Sequence, residues 1–211
     1  MDPKFKESLD IIREAVEKYP NIAVGCSFGK DSIVLLHLAL QVKPDIRVFS
    51  VMTPYKPEET FRYKEELTKL WNLNIETYSS DVEVPEGLWE KDPDECCQIL
   101  KVEPTRNAVK NLDAWIAGLR NTEGRTREDY EVWEEKGGLM KVNPILYWTE
   151  ADVWRYMAVN HIPVHPWYAL GYRSIGCAPC SNIGGELERD GRWKGTSKCG
   201  GECGIHTQNL K

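Results

Sequence analysis

Ile22-Ala23-Val24-Gly25-Cys26-Ser27-Phe28-Gly29-Lys30-Asp31-Ser32, followed by the apolar run Ile33–Leu40, is the stretch that decides the fold. Ile22–Cys26 is short and apolar enough for a buried strand, Ser27–Ser32 is a tight glycine loop, and Ile33–Leu40 reads as a helix. Strand, loop and helix in that order aim backbone N–H groups at a helix N-terminus, where an anion is favoured. The pattern G-x-x-x-x-G-K-[ST] is absent, so this is not a Walker A loop. Taken alone, the loop is equally readable as a plain turn.

Working outward, Leu9, Ile12, Ala15 and Val16 sit at helical spacing within residues 5–18. Arg47–Val51 and Asn74–Tyr78 read as strands. Between them, Glu58–Trp71 reads as a helix with Tyr63, Leu67, Leu70 and Trp71 on one face. This alternation predicts an α/β fold, a parallel sheet flanked by helices, with the ligand at the carboxyl ends of strands. Asp81–Glu95 is acidic, carries Pro85 and Pro93, and reads as a loop. Cys96–Asn111 reads as a helix interrupted near Pro104, and Trp115–Leu119 as a fourth strand. Arg120, Arg125 and Arg127 follow at once, either as a solvated loop or as an anion site. Lys141–Ile145 is extended, and Thr149 caps a helix through Met157, with Asp152 at the capping-box position. Past Cys180 the apolar periodicity is lost. Residues 1–180 are therefore expected to form one α/β domain, and 181–211 a mobile tail rather than a second domain.

The 211 residues carry a net charge of −6, which suits a single domain of ordinary size and argues against nucleic acid as the partner. The N-terminus has no apolar leader core, and no apolar run is long enough to cross a bilayer, so no membrane role is expected. Seven clustered cysteines, an odd number, do not resemble a secreted disulfide framework; a reducing cytoplasm is the natural setting. Four of them, Cys96-Cys97 and Cys177-Ala178-Pro179-Cys180, supply the thiolates that iron–sulfur clusters and tetrahedral zinc both use. They read otherwise as unrelated buried thiols.

Seven parts occur in a telling order: Ser27–Ser32, Cys96-Cys97, Gly118-Leu119-Arg120, Val142-Asn143-Pro144, Ser174-Ile175-Gly176-Cys177-Ala178-Pro179-Cys180, Gly191-Arg192-Trp193 and Glu202-Cys203-Gly204-Ile205-His206. In this order the chain resembles the adenylyl-sulfate / phosphoadenylyl-sulfate reductase family, iron–sulfur-containing type, over about residues 20–208. The resemblance implies an adenine nucleotide alpha-hydrolase-like fold, a variant of the pyrophosphatase-loop scaffold. It implies a [4Fe-4S] cluster on Cys96, Cys97, Cys177 and Cys180, with Lys101 linking cluster and substrate. Ser27, Phe28, Gly29, Lys30, Asp31, Thr53, Gly118 and Arg120 fall on the substrate side. Arg127, Arg189 and Arg192 match arginines that hold the phosphosulfate, Cys203 matches the nucleophile, and His206 its companion. The activity implied is reduction of adenylyl sulfate to sulfite and AMP in sulfate assimilation, for cysteine biosynthesis. It runs through an S-sulfocysteine released by thioredoxin or a similar thiol.

The chain departs from the family pattern in three places: Met52-Thr53-Pro54 stands where Asp-Thr-Gly is usual, Arg120-Asn121 replaces an arginine pair, and Cys199 has no counterpart. The 3′-phosphorylated substrate would need one more cation, for which Lys30 is the candidate. A homo-oligomer is expected. Two other classes remain open at this stage. A cluster-bearing ATP pyrophosphatase that thiolates tRNA needs an S-G-G-x-D-S loop, where this chain has Phe28. A zinc-stabilised nucleotide-binding module would leave Glu202–His206 unexplained.

Overall fold

A computed structural model of the chain describes residues 2–199 and 201–211; Met1 and the tail glycine Gly200 lie outside the described residues. The first half is α1 (Pro3–Lys18), β1 (Ile22–Gly25), α2 (Lys30–Val42), β2 (Arg47–Val51), α3 (Glu58–Leu70) and β3 (Ile75–Tyr78). Two short helices follow, α4 (Leu88–Lys91) and α5 (Pro93–Cys97), in the acidic stretch where a loop was expected; Asp92 caps α5 by accepting from the Glu95 backbone N–H. A π-helical turn, Gln98–Val102, then joins α5 to α6 (Glu103–Val109). The π-helical turn directly before Pro104 is the interruption anticipated there, since Pro104 has no N–H with which to continue the regular ladder. The second half holds β4 (Ala114–Ala117), β5 (Trp133–Lys136), β6 (Leu139–Val142), α7 (Glu150–Val159) and the single turn α8 (Gly204–Thr207). Thr149 and Asp152 form the reciprocal capping box at the start of α7.

The six strands lie in the order β3-β2-β1-β4-β6-β5. Five are parallel, and β5 adds antiparallel to β6 at the edge. That hairpin adds one antiparallel edge strand to the expected parallel sheet. Its signal was the Gly137-Gly138 pair, both at positive φ, which turns the chain in two residues. Side chains alternate across the sheet. Ile22, Val24, Val48, Ala114 and Ile116 pack toward α1, α2, α3 and α7. Ala23, Phe49, Trp115 and Ala117 pack on the other face with Val109 of α6 and Leu210 of the tail. Leu70, expected on the buried face of α3, is 59% exposed; the buried face runs through Thr60, Tyr63 and Leu67. Residues 181–211 build no core of their own; Trp193 and Leu210 are buried against the body.

The strand order reverses between β1 and β4, and a crevice opens there at their carboxyl ends. Gly118 closes one side of it. A Cβ at 118 would stand 3.0 Å from the Asp31 carbonyl and the Ser32 Cα, both backbone at the start of α2. Backbone cannot rotate away as a side chain can. Gly118→Ala is therefore expected to cost about 1–3 kcal/mol by displacing the loop. A denaturant midpoint unchanged from wild type would contradict this.

Candidate active site

The crevice is a cleft of about 1090 Å³, mouth included, at the switch point of the sheet. Gly25 through Ser27, Gly29 and Asp31 form one wall, and Ala117 through Leu119 the other. Phe49 and Trp115 give an apolar floor. The tail closes the top with Arg189, Arg192, Trp193, Glu202, Cys203 and His206. The imidazole of His206 lies parallel to the Trp115 ring, 4° between planes and 5.9 Å between centroids. Burial holds it well below the ordinary histidine range.

Four residues expected on the substrate side do not line this cleft, and each has a packing reason. Phe28 takes φ +64°, the left-handed conformation a glycine would accept freely; its ring is buried, edge-on to Tyr63. Lys30 is buried, with its ammonium 2.7 Å from Glu188 and 3.2 Å from Asp31. Arg120 is fully buried, bonding Asp31 through Nε at 2.5 Å and Glu188 through Nη2 at 2.6 Å. Thr53 sets its hydroxyl 3.1 Å from the Cys177 sulfur. The carboxylates of Asp31, Glu123 and Glu188 come close enough to suggest a metal site. Lys30, Arg120 and Arg127 already neutralise them.

Arg127 and Arg189 line the cleft but are engaged by the tail. Glu202 accepts from Arg127 Nε at 2.5 Å and Nη2 at 3.1 Å, and from Arg189 Nη2 at 2.8 Å. Burial alone would raise the Glu202 carboxyl; these arginines hold it well below the ordinary carboxylate range. Glu123 completes the hold on Arg127. Arg192 differs: it bonds only the Ser181 hydroxyl at 2.8 Å, and its Nε is buried without a partner. Its guanidinium lies where a side chain at 176 would stand, which explains the glycine before Cys177.

At the cleft's far end Cys97, Cys177 and Cys180 cluster around Trp193, with Cys203 packed against them. Cys96 is buried beside them and feels the charges of Cys177 and Cys180. The π-helical turn winds Lys101 back toward this group, a common use of such turns at functional sites. Against burial, the sulfurs of Cys177, Cys203 and Cys97 hold the Lys101 ammonium above its ordinary value. The Cys203 thiol is held well below its ordinary value by the adjoining Cys97 sulfur and, against burial, by Lys101. Cys26 shows the opposite: burial pushes its thiol up to about 11. Cys199 is exposed and outside the cleft.

Sequence reasoning missed Lys56, Tyr168 and Trp115 in the lining, and the pairing role of Glu188 and Glu202. Lys56 had a usable signal, since it follows the carboxyl end of β2. The carboxylates had little, because Arg120 lies 68 residues from Glu188 and Arg127 lies 75 from Glu202; only Arg189 is near in the chain, 13 residues before Glu202.

The phosphoadenosine phosphosulfate reductase domain family matches residues 21–183. The chain belongs to this family. Among its relatives in the phosphoadenosine phosphosulfate reductase family, an adenosine 5′-phosphosulfate reductase of Lysinibacillus sphaericus is 34% identical over 98% of this chain and 93% of its own length. Adenosine 5′-phosphosulfate reductase 1 of Bacillus subtilis is 35% identical over 97% and 93%. The crystal structure of a phosphoadenylyl-sulfate reductase from Candida auris superposes with a TM-score of 0.73 at 25% identity, covering 82% of this chain and 89% of that one. The family's adenine nucleotide alpha-hydrolase-like fold accounts for the switch-point cleft.

Proposed function

We propose that this protein is an adenylyl-sulfate (adenosine 5′-phosphosulfate) reductase of sulfate assimilation, with Cys203 as nucleophile and a [4Fe-4S] cluster on Cys96, Cys97, Cys177 and Cys180. The observation that carries the reading is Cys203 lining the switch-point cleft beside a buried, positively charged Lys101. The near-full-length relatives named for this substrate support it. Lys30, the candidate for a 3′-phosphate, is occupied by Glu188 and Asp31, which supports the unphosphorylated nucleotide.

The chemistry runs as a two-step transfer. The Cys203 thiolate attacks the sulfate sulfur; the bond from that sulfur to the bridging oxygen breaks, and AMP leaves with the electron pair. Cys203 is left as S-sulfocysteine. A thiolate of thioredoxin or a similar cytoplasmic dithiol attacks the Cys203 sulfur, and sulfite departs with the bonding pair. The reductant's second thiol resolves the mixed disulfide, so two thiols are oxidised and sulfur is reduced by two electrons. Lys101 and Arg192 favour the thiolate and balance the incoming anion. For release, the tail carrying Cys203 must swing out to the reductant.

The donor set fits a cluster: Cys96, Cys97, Cys177 and Cys180 are four buried thiols, and the Lys101 ammonium is drawn to sulfurs of this group. When bound, the cluster supplies localised charge that organises the anion site. Protein purified without air should be brown, with about four irons per chain. It should release sulfite from adenylyl sulfate with thioredoxin, at a higher kcat/KM than from the 3′-phosphorylated form. Colourless protein with one zinc, or a preference for the phosphorylated nucleotide, contradicts the respective part.

A further inference from the structure

We propose that Lys56 is a binding residue for the phosphosulfate, a third cation acting with Lys101 and Arg192; the proposal rests on the functional reading above and deepens it. The cations around the cleft fall into two sets. Lys30, Arg120, Arg127 and Arg189 are each held by carboxylates of Asp31, Glu123, Glu188 or Glu202. Lys56, Lys101 and Arg192 line the same cleft, and among the described residues none of the three makes an ion pair.

Two of these three are buried: Lys101 is 9% exposed and Arg192 5%, the latter with its Nε unpartnered. Cations kept from water without a counter-charge are costly, and a bound anion relieves that cost. The unsatisfied end of the cleft is therefore where the anionic part of a ligand belongs. Lys56 reaches this end from the loop after β2. Its ammonium donates to the Ser27 carbonyl of the glycine loop at 3.2 Å, and the neighbouring Tyr55 packs against the cysteine cluster and accepts from the Ala178 N–H at 2.7 Å.

Charge balance calls for it. The phosphosulfate of adenylyl sulfate carries one negative charge on phosphorus and one on sulfur. Lys101 is drawn by the sulfurs of Cys177, Cys203 and Cys97, and so is shared with the nucleophile. Without Lys56, Arg192 would be the one unshared and unpaired cation for two charges.

The test uses intact, cluster-loaded protein carrying Cys203→Ser, so that bound nucleotide is not consumed. Calorimetric affinities for adenylyl sulfate and for AMP are compared with and without Lys56→Met and Lys56→Arg, alongside iron content and thermal midpoint. Lys56→Met is expected to weaken adenylyl sulfate binding about 10- to 100-fold, the range for a charge-assisted bond. Lys56→Arg should recover most of it, with iron content unchanged. A parallel loss for AMP assigns the contact to the phosphate, and an unchanged AMP affinity assigns it to the sulfate; both support the proposal. Unchanged adenylyl sulfate affinity in Lys56→Met overturns it. So does a loss of iron with normal affinity per loaded chain, which makes Lys56 a partner of the cysteines instead. Should the parent protein bind no adenylyl sulfate, the functional reading falls and takes this proposal with it.

Discussion

Cys203→Ser is expected to lower sulfite formation by at least about three orders of magnitude, the scale for loss of a covalent nucleophile. Iron content and nucleotide binding should stay intact. Of the three thiols outside the proposed cluster, Cys203 lines the cleft beside the Lys101 ammonium, which favours its thiolate and does so whatever Cys97 binds. Cys26 borders the cleft too, but its thiol is raised to about 11 by burial, so it stays protonated at neutral pH. Cys199 is exposed, four residues before Cys203, and Cys199→Ser should keep most activity. Intact-protein mass spectrometry after substrate addition, with no thiol present, should find one sulfonate on Cys203. A sulfonate mapped to Cys199, or a fully active Cys203→Ser, would overturn the mechanism.

The second large effect is on stability. Arg120→Ala should destabilise the fold by about 3–5 kcal/mol, the scale for breaking a buried ion pair from one side. Arg120 is fully buried between Asp31, at the start of α2, and Glu188, in the tail. It also donates to the Thr122 hydroxyl at 3.0 Å and to the Trp148 carbonyl at 3.4 Å. Without it, Lys30 alone is left between two buried carboxylates. For a chain of this size the melting temperature should fall by roughly 6–20 °C. Thermal denaturation read by circular dichroism checks it. A variant of wild-type stability with a raised KM would instead return Arg120 to the substrate.

Local sequence determined much of this protein by itself. The short apolar run of β1 marked a buried strand, because a strand's geometry is a property of neighbouring residues. Thr149 and Asp152 announced the start of α7, since a capping box closes within four residues. The short motifs around Cys177 and Cys203 marked the chemistry, because reacting groups need particular residue types at close spacing. Tertiary structure decided which cations are free. Lys30 and Arg120 looked like ligands for a nucleotide, yet Glu188 holds both; Arg127 and Arg189 line the cleft, yet Glu202 holds both. Lys56, outside every motif, lines the cleft with Lys101 and Arg192 and makes no ion pair among the described residues. Charge pairing depends on distance in space. The carboxylates that settle it arrive from a tail whose glycine-rich sequence holds no apolar period of its own, and which is positioned by the body it covers.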